Sequence, residues 1–200
     1  DNWMYYGRTT GSHAHLDMLA IGLDAYGFNF MPDLGTPAFK GNSSNRVEWI
    51  NPTISHNTVV VDGKQQKAVY TGTPLHYDVT DNVKIIDTES PKSYDATDIY
   101  RRTTVTIAAT ADVSYTLDFF RVKGGNQHTY SFHSQSHGAM PVEGLNVEFQ
   151  MDEKGNMVGT YAGPDVKKGE RGDFNTGYQY MTKVRKDSHI VHRLRHELET

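Results

Sequence analysis

The sequence predicts an all-β protein, an antiparallel β-sandwich, on three observations. The composition leans to strand and turn formers: 12 tyrosines and 18 glycines stand beside abundant threonine and valine in 200 residues. Such side chains suit a pleated, half-buried sheet surface. Apolar runs are short, and clusters of Gly, Pro, Asn or Asp separate them. No long amphipathic helix, heptad series or fixed-period repeat is present in the pattern. Residues 1–200 read as a single sandwich domain, with a composition shift near 138–141 marking a boundary between sheets.

The elements follow in order. Between 15 and 24, His15, Asp17, Leu19, Ile21 and Leu23 alternate as one face of a strand would, and His13 joins that face if the strand begins early. Phe28 to Met31 is a short second strand closed by Pro32. Residues 36–53, rich in Gly, Asn, Ser and Pro, form a long loop of the kind that borders sites. Thr58 to Val61 is a β-branched strand, and Asp62-Gly63 is a hairpin turn signal. Further strands are expected at 83–89, 99–109, 113–123 and 128–135, then weaker ones at 145–151, 157–161, 177–185 and 189–195.

Composition narrows the functions. A formal net charge of −4 leaves no basic face for a phosphate backbone, so nucleic acid is not an expected partner. The basic clusters Arg101-Arg102, Lys167-Lys168 and Lys183 to Lys186 read as solvated surface. The absence of cysteine excludes disulfides, thiolate zinc sites and a cysteine nucleophile. No stretch is apolar and long enough to span a membrane, and no signal peptide is visible. A start at Asp1 and a polar close at Thr200 read as a piece of a larger protein.

Chemistry concentrates in two histidine patches. His13-Ala14-His15-Leu16-Asp17 comes first, and Ser55-His56-Asn57-Thr58 runs into Val59-Val60-Val61. Between them stands Pro32-Asp33-Leu34-Gly35, where a turn can aim a carboxylate inward or simply form an Asx turn. Two histidines and a carboxylate from separate segments suit zinc with one open position, and other divalent metals accept the same set. A rival grouping takes His15, Asp17 and a distant histidine as the 2-His-1-carboxylate set of a non-haem iron oxygenase. His128 and His133 are an odd number of residues apart, so a regular strand turns them to opposite faces.

These residues resemble the β-sandwich portion of the heparinase II/III-like family of polysaccharide lyases. The resemblance rests on His13-Ala14-His15-Leu16-Asp17, Asp33-Leu34-Gly35 and the run Ser55 to Gly63 with Gln65 and Gln66. It continues through Tyr100-Arg101, Leu117 to Val122, Gly124-Gly125, His128 and Phe132-His133, over roughly the first two-thirds of the chain. Beyond that, Gly177-Tyr178-Gln179-Tyr180 is the best fragment.

The resemblance implies a two-part enzyme, an N-terminal α/α toroid followed by the sandwich, with the active site between them. Its reaction is β-elimination at a uronic acid residue of an acidic polysaccharide. His15, Asp33 and His56 fall on metal-ligand positions and His13 on that of a catalytic histidine. Zinc is the first expectation for the metal, with calcium or another divalent ion also compatible. A bacterial periplasmic or secreted location is implied as well. The toroid, source of the family's tyrosine acid/base, is not in this chain, and no tyrosine lies between Tyr26 and Tyr70. Alone, the chain is expected to be half an active site. The competing expectation, from a different class, is a non-catalytic carbohydrate-binding or scaffold sandwich with a structural metal.

Overall fold

The computed structural model describes residues 1–35, 46–134, 148–170 and 176–186. The chain forms two compact units, Asp1–Gln135 and Ser136–Thr200. The described structure is antiparallel sheet with almost no helix.

The first unit holds three sheets. Strands β1 (Asn2–Met4), β2 (Ile21–Ala25) and β3 (Phe28–Asn29) pair in that order. Trp3 lies opposite Gly22, whose missing Cβ makes room for the indole: a side chain there would meet the ring at 2.1 Å. Strand β4 (Val59–Val61) pairs with β9 (His128–Tyr130), and β5 (Thr73–Val79), β6 (Val83–Glu89), β7 (Thr97–Ala108) and β8 (Ser114–Gly124) form an antiparallel meander.

The strands expected at 83–89, 99–109 and 113–123 are present almost residue for residue. Strand β5 lies outside the expectation. It carries Pro74, His76 and Asp78, is exposed along its whole length, and is the edge of its sheet, where proline is tolerated.

Asp62 and Gly63 take positive φ values of 52° and 65°, as a tight two-residue turn requires. The hairpin does not continue, because β4 pairs instead with β9, about 70 residues on. The Asp62 carboxylate accepts the backbone N–H groups of Asn126 and Gln127 at 2.7 and 2.9 Å and locks that long-range pairing.

Residues 15–20 are not strand. The chain turns there, Ala20 N–H donates to the Asp17 carbonyl at 2.9 Å, and Leu19 sits at φ 61°. The alternation that suggested a strand is coincidental. The backbone groups of this loop find distant partners instead of a ladder.

The core lies between the inner face of the meander and the smaller sheets. Met4, Met18, Leu19, Ile21, Met31, Val59, Val61, Tyr94 and Tyr100 are buried together, with Ile86, Phe120 and Val122 packed against them. Burial of this apolar surface is the main favourable term for the unit.

The second unit contains β10 (Glu148–Phe149) paired with β11 (Arg185–Lys186) and a 3-10 turn at Tyr178–Tyr180. The strands expected at 145–151, 157–161 and 177–185 shrink to these short pieces and to isolated bridges at Met151–Met157 and Thr160–Gly163. Asp and Gly break each run before a ladder can extend. The strand expected at 189–195 lies outside the described residues.

Candidate metal centre

Three segments of the first unit converge on one spot. His15 and Asp17 lie on the 11–20 loop, Asp33 follows β3 just after Pro32, and His56 caps the 3-10 turn of residues 53–55. One candidate ligand atom from each of these four side chains lies within 4.8 Å of the others. Asp33 Oδ2 is 3.6 Å from Nδ1 of His15 and 3.6 Å from Nδ1 of His56. The two imidazoles stack with centroids 5.1 Å apart. His15, Asp17 and His56 are buried, and Asp33 stands at the rim.

Each side chain has a structural reason to be there. Leu16 N–H donates to the Asn51 carbonyl at 2.9 Å. The Gln66 amide clamps Met18 from both sides, accepting its N–H at 2.8 Å and donating to its carbonyl at 2.9 Å. Thr58 Oγ donates to the same carbonyl at 3.0 Å. Arg102, fully buried, donates to the carbonyls of Leu19 and Asn57. Its guanidinium also forks onto Asp118 at 2.8 and 2.7 Å. One side chain of β7 therefore ties both histidine-bearing loops to the meander.

Asp33 is at once an Asx turn and a cluster member. Its Oδ1 accepts the Gly35 N–H at 2.7 Å while Oδ2 faces the histidines. His56 Nε2 donates to the Ile50 carbonyl at 2.9 Å, because a carbonyl can only accept. That bond leaves Nδ1 as the nitrogen free to accept, in the orientation by which an outer partner fixes a metal-binding histidine.

The electrostatics favour positive charge at the centre. Asp33 is held well below the usual carboxylate range, chiefly by His15 and then by His56. The bond to Asp33 raises His15 in turn. Burial pushes the Asp17 carboxyl up, and its Oδ1 has no hydrogen-bond partner. The residues fit a cation. A tetrahedral ion with bonds near 2.0–2.1 Å sets its ligand atoms about 3.3 Å apart, close to the 3.6 Å separations seen.

The convergence of His15, Asp33 and His56 joins residues that sequence reasoning had grouped. Asp17, assigned to the rival set, lies in the same cluster. His13 is exposed on the same loop and is not a member. A cavity of about 310 Å³ opens beside Asp33 and His56, with Trp3, Trp49 and His133 in its walls. Trp49 meets the His133 ring edge-on at 5.8 Å. His133 bonds the Ile54 carbonyl at 2.7 Å, and burial lowers its pKa. His128 is exposed and bonds the Gly124 carbonyl at 2.7 Å. Sequence reasoning missed Trp49, which lies on a π-helical turn, Arg46–Ile50, inside the stretch expected to be a loop, and the part played by Arg102.

The profile of the family described as "Heparinase II/III-like, C-terminal" matches residues 4–135, which contain His13 and all four cluster residues. The chain belongs to this family. It is a family of polysaccharide lyases. Among solved structures, heparan sulfate lyase HepC from Pedobacter heparinus is 21% identical with a TM-score of 0.52, covering 62% of this chain and 18% of that one. A heparinase III, the BT4657 gene product, is 20% identical with a TM-score of 0.60, covering 77% and 24%. At such identities the likeness shows the fold alone, and the chain spans a quarter or less of these relatives. No curated protein matches the chain.

Proposed function

We propose that the chain is the sandwich portion of a polysaccharide lyase that cleaves uronic-acid-containing acidic polysaccharides by β-elimination. His13 would exchange the protons, and a zinc-like ion would be held by His15, Asp33 and His56. The observation that carries this reading is the convergence of those three side chains within the family-matched residues, with His13 exposed two residues before His15. The nitrogen-rich donor set favours zinc over calcium, which takes six to eight oxygens.

In the reaction a base takes the C5 proton of the uronate. The electron pair forms the C4=C5 double bond, the C4–O bond breaks, and the departing oxygen takes a proton. An imidazole titrating near neutral pH suits the first or the last of these transfers. His13 is open to solvent and stands on a loop fixed by Gln66, Thr58 and Arg102. The Trp49 indole offers a sugar ring an apolar wall in the cavity beside Asp33 and His56. The ion, when bound, supplies charge that balances the clustered carboxylates and holds the three segments together. The tyrosine and the remaining cleft would come from an N-terminal α/α toroid of the same protein. A heparan-type glycosaminoglycan leads the candidates because the similar structures are named for it; alginate is the next polymer to try. A periplasmic or secreted location goes with such a substrate.

The test is the ultraviolet absorbance of unsaturated products when the full-length protein meets each uronate polymer. His13→Ala should lower kcat by roughly 10²–10⁴-fold while metal content stays unchanged. Metal lost together with turnover would overturn the division between catalytic and ligand histidines. Turnover retained by His13→Ala would point to the non-catalytic scaffold.

A further inference from the structure

We infer that Asp17 is a fourth protein ligand, closing the metal's coordination sphere so that the ion is a structural cross-link and not a Lewis acid open to substrate. The inference rests on the metal reading above and extends it.

Asp17 is 6% exposed and its Oδ1 has no hydrogen-bond partner. A buried carboxylate in that position needs a cation or a donor. Two other carboxylates of this unit at comparable depth have one: Asp87 is paired with Arg101, and Asp118 with Arg102. No Lys or Arg ion pair serves Asp17 among the described residues. What stands within 4.8 Å of it is a ligand atom from each of His15, Asp33 and His56.

His15 and Asp17 reach the same point from one loop, whose C-terminal end is closed by the turn from Asp17 to Ala20. Three protein ligands and an open position characterise a catalytic zinc site, whereas four make a closed one. Charge agrees with closure. Two carboxylates and two neutral imidazoles around a dication sum to zero, and a neutral assembly can be buried. Asp33 contributes one oxygen only, since its Oδ1 is held by Gly35. The ion then serves to hold the His13 loop, and a sugar in the tryptophan-lined cavity would meet the ligand side chains Asp33 and His56 rather than an open position on the metal.

The experiment replaces the ion by Co(II) in the full-length protein and reads the visible absorption before and after adding azide, a small anion that enters open sites. The expected wild-type result is an intense four-coordinate spectrum unchanged by azide. Asp17→Asn should lose more metal affinity than the roughly 10–100-fold that removal of an outer partner costs, and azide should now shift its spectrum. Asp17→Ser is the second variant. If neither variant folds, the wild-type azide response alone decides. A wild-type spectrum that shifts with azide, or an Asp17→Asn protein with unchanged affinity and spectrum, overturns the inference. A wild-type protein that takes up neither cobalt nor zinc removes the metal reading itself.

Discussion

The first unit contains two buried polar clusters that differ in what they lack. Around Arg102 the charges are complete. The guanidinium meets the Asp118 carboxylate, the Tyr130 hydroxyl and the carbonyls of Leu19 and Asn57, with Phe120 and Tyr130 rings about it. Around Asp33 the groups are two carboxylates and two imidazoles, with acceptors turned toward each other. The two clusters share a boundary, because Arg102 holds the loops that carry His15 and His56. The protein builds a cation in where charge is needed permanently. It leaves a gap of the same sign where an ion from outside would fit. The first cluster would then be the frame and the second the insert.

The largest expected effect is at the frame. Arg102→Met takes the cation from Asp118, which keeps only the Tyr130 hydroxyl as donor, and a donor from the Leu19 and Asn57 carbonyls; breaking a buried pair in this way costs about 3–5 kcal/mol. The urea midpoint should fall accordingly. Metal affinity should fall as well, because the Leu19 and Asn57 carbonyls are released. The double variant Arg102→Met/Asp118→Leu should recover part of the loss, since no uncompensated charge remains. A double variant as unstable as the single one would mean that Arg102 matters for packing rather than for charge.

The insert should respond differently. A ligand that binds only the folded chain stabilises it by about 4 kcal/mol at a thousand times its Kd. At roughly 2–4 °C per kcal/mol for a chain of this size, chelation should lower Tm by about 10 °C. Asp33→Asn should reduce that sensitivity to chelator, while Arg102→Met keeps a smaller response. Equal Tm values with and without chelator would dissolve the distinction between frame and insert.

The frame and the insert were not equally legible. Strands β6 to β8 could be read because their side chains alternate over seven residues or more and end at turn residues. His15, Asp33 and His56 could be grouped because histidine and aspartate in short, turn-flanked patches are few. The loop that carries His15 was misread as a strand. Its alternation is real, but its hydrogen bonds go to Gln66, Tyr5 and Arg102, partners set by tertiary structure. Arg102 looked like half of a solvated basic pair. In fact the alternation of β7 sends Arg101 outward and Arg102, fully buried, into the core. That assignment needs the inner face of the strand, which Tyr100 and Thr104 reveal only once the sheet is known. Asp17 was visible as part of His-x-His-x-Asp, yet as the carboxylate of the rival 2-His-1-carboxylate set it became an alternative to Asp33 instead of its companion.

The smallest effect tests whether burial is what separates the frame from ordinary ion pairs. Asp87 also has cations built in: Arg101 donates to it from Nε at 2.9 Å, Arg121 lies 3.7 Å away, and Thr103 Oγ donates at 2.8 Å. These bonds, Arg101 first, lower its pKa in the folded state. A carboxyl whose folded pKa lies below its unfolded value of about 3.9 contributes stability above that pH and loses it as pH falls through the folded value. Asp87→Asn should therefore destabilise the chain at pH 7 and flatten the acid limb of its stability curve. Both arginines face solvent on the outer side of the sheet, at 32% and 52% exposure. The loss should then be about 1 kcal/mol or less and should shrink further in high salt. Arg102→Met should cost several times more and barely respond to salt. If the two losses proved equal and equally screened, burial would not be what distinguishes the Arg102 cluster, and the ligand loops would be held by their backbone contacts to Tyr5, Asn51 and Gln66 instead.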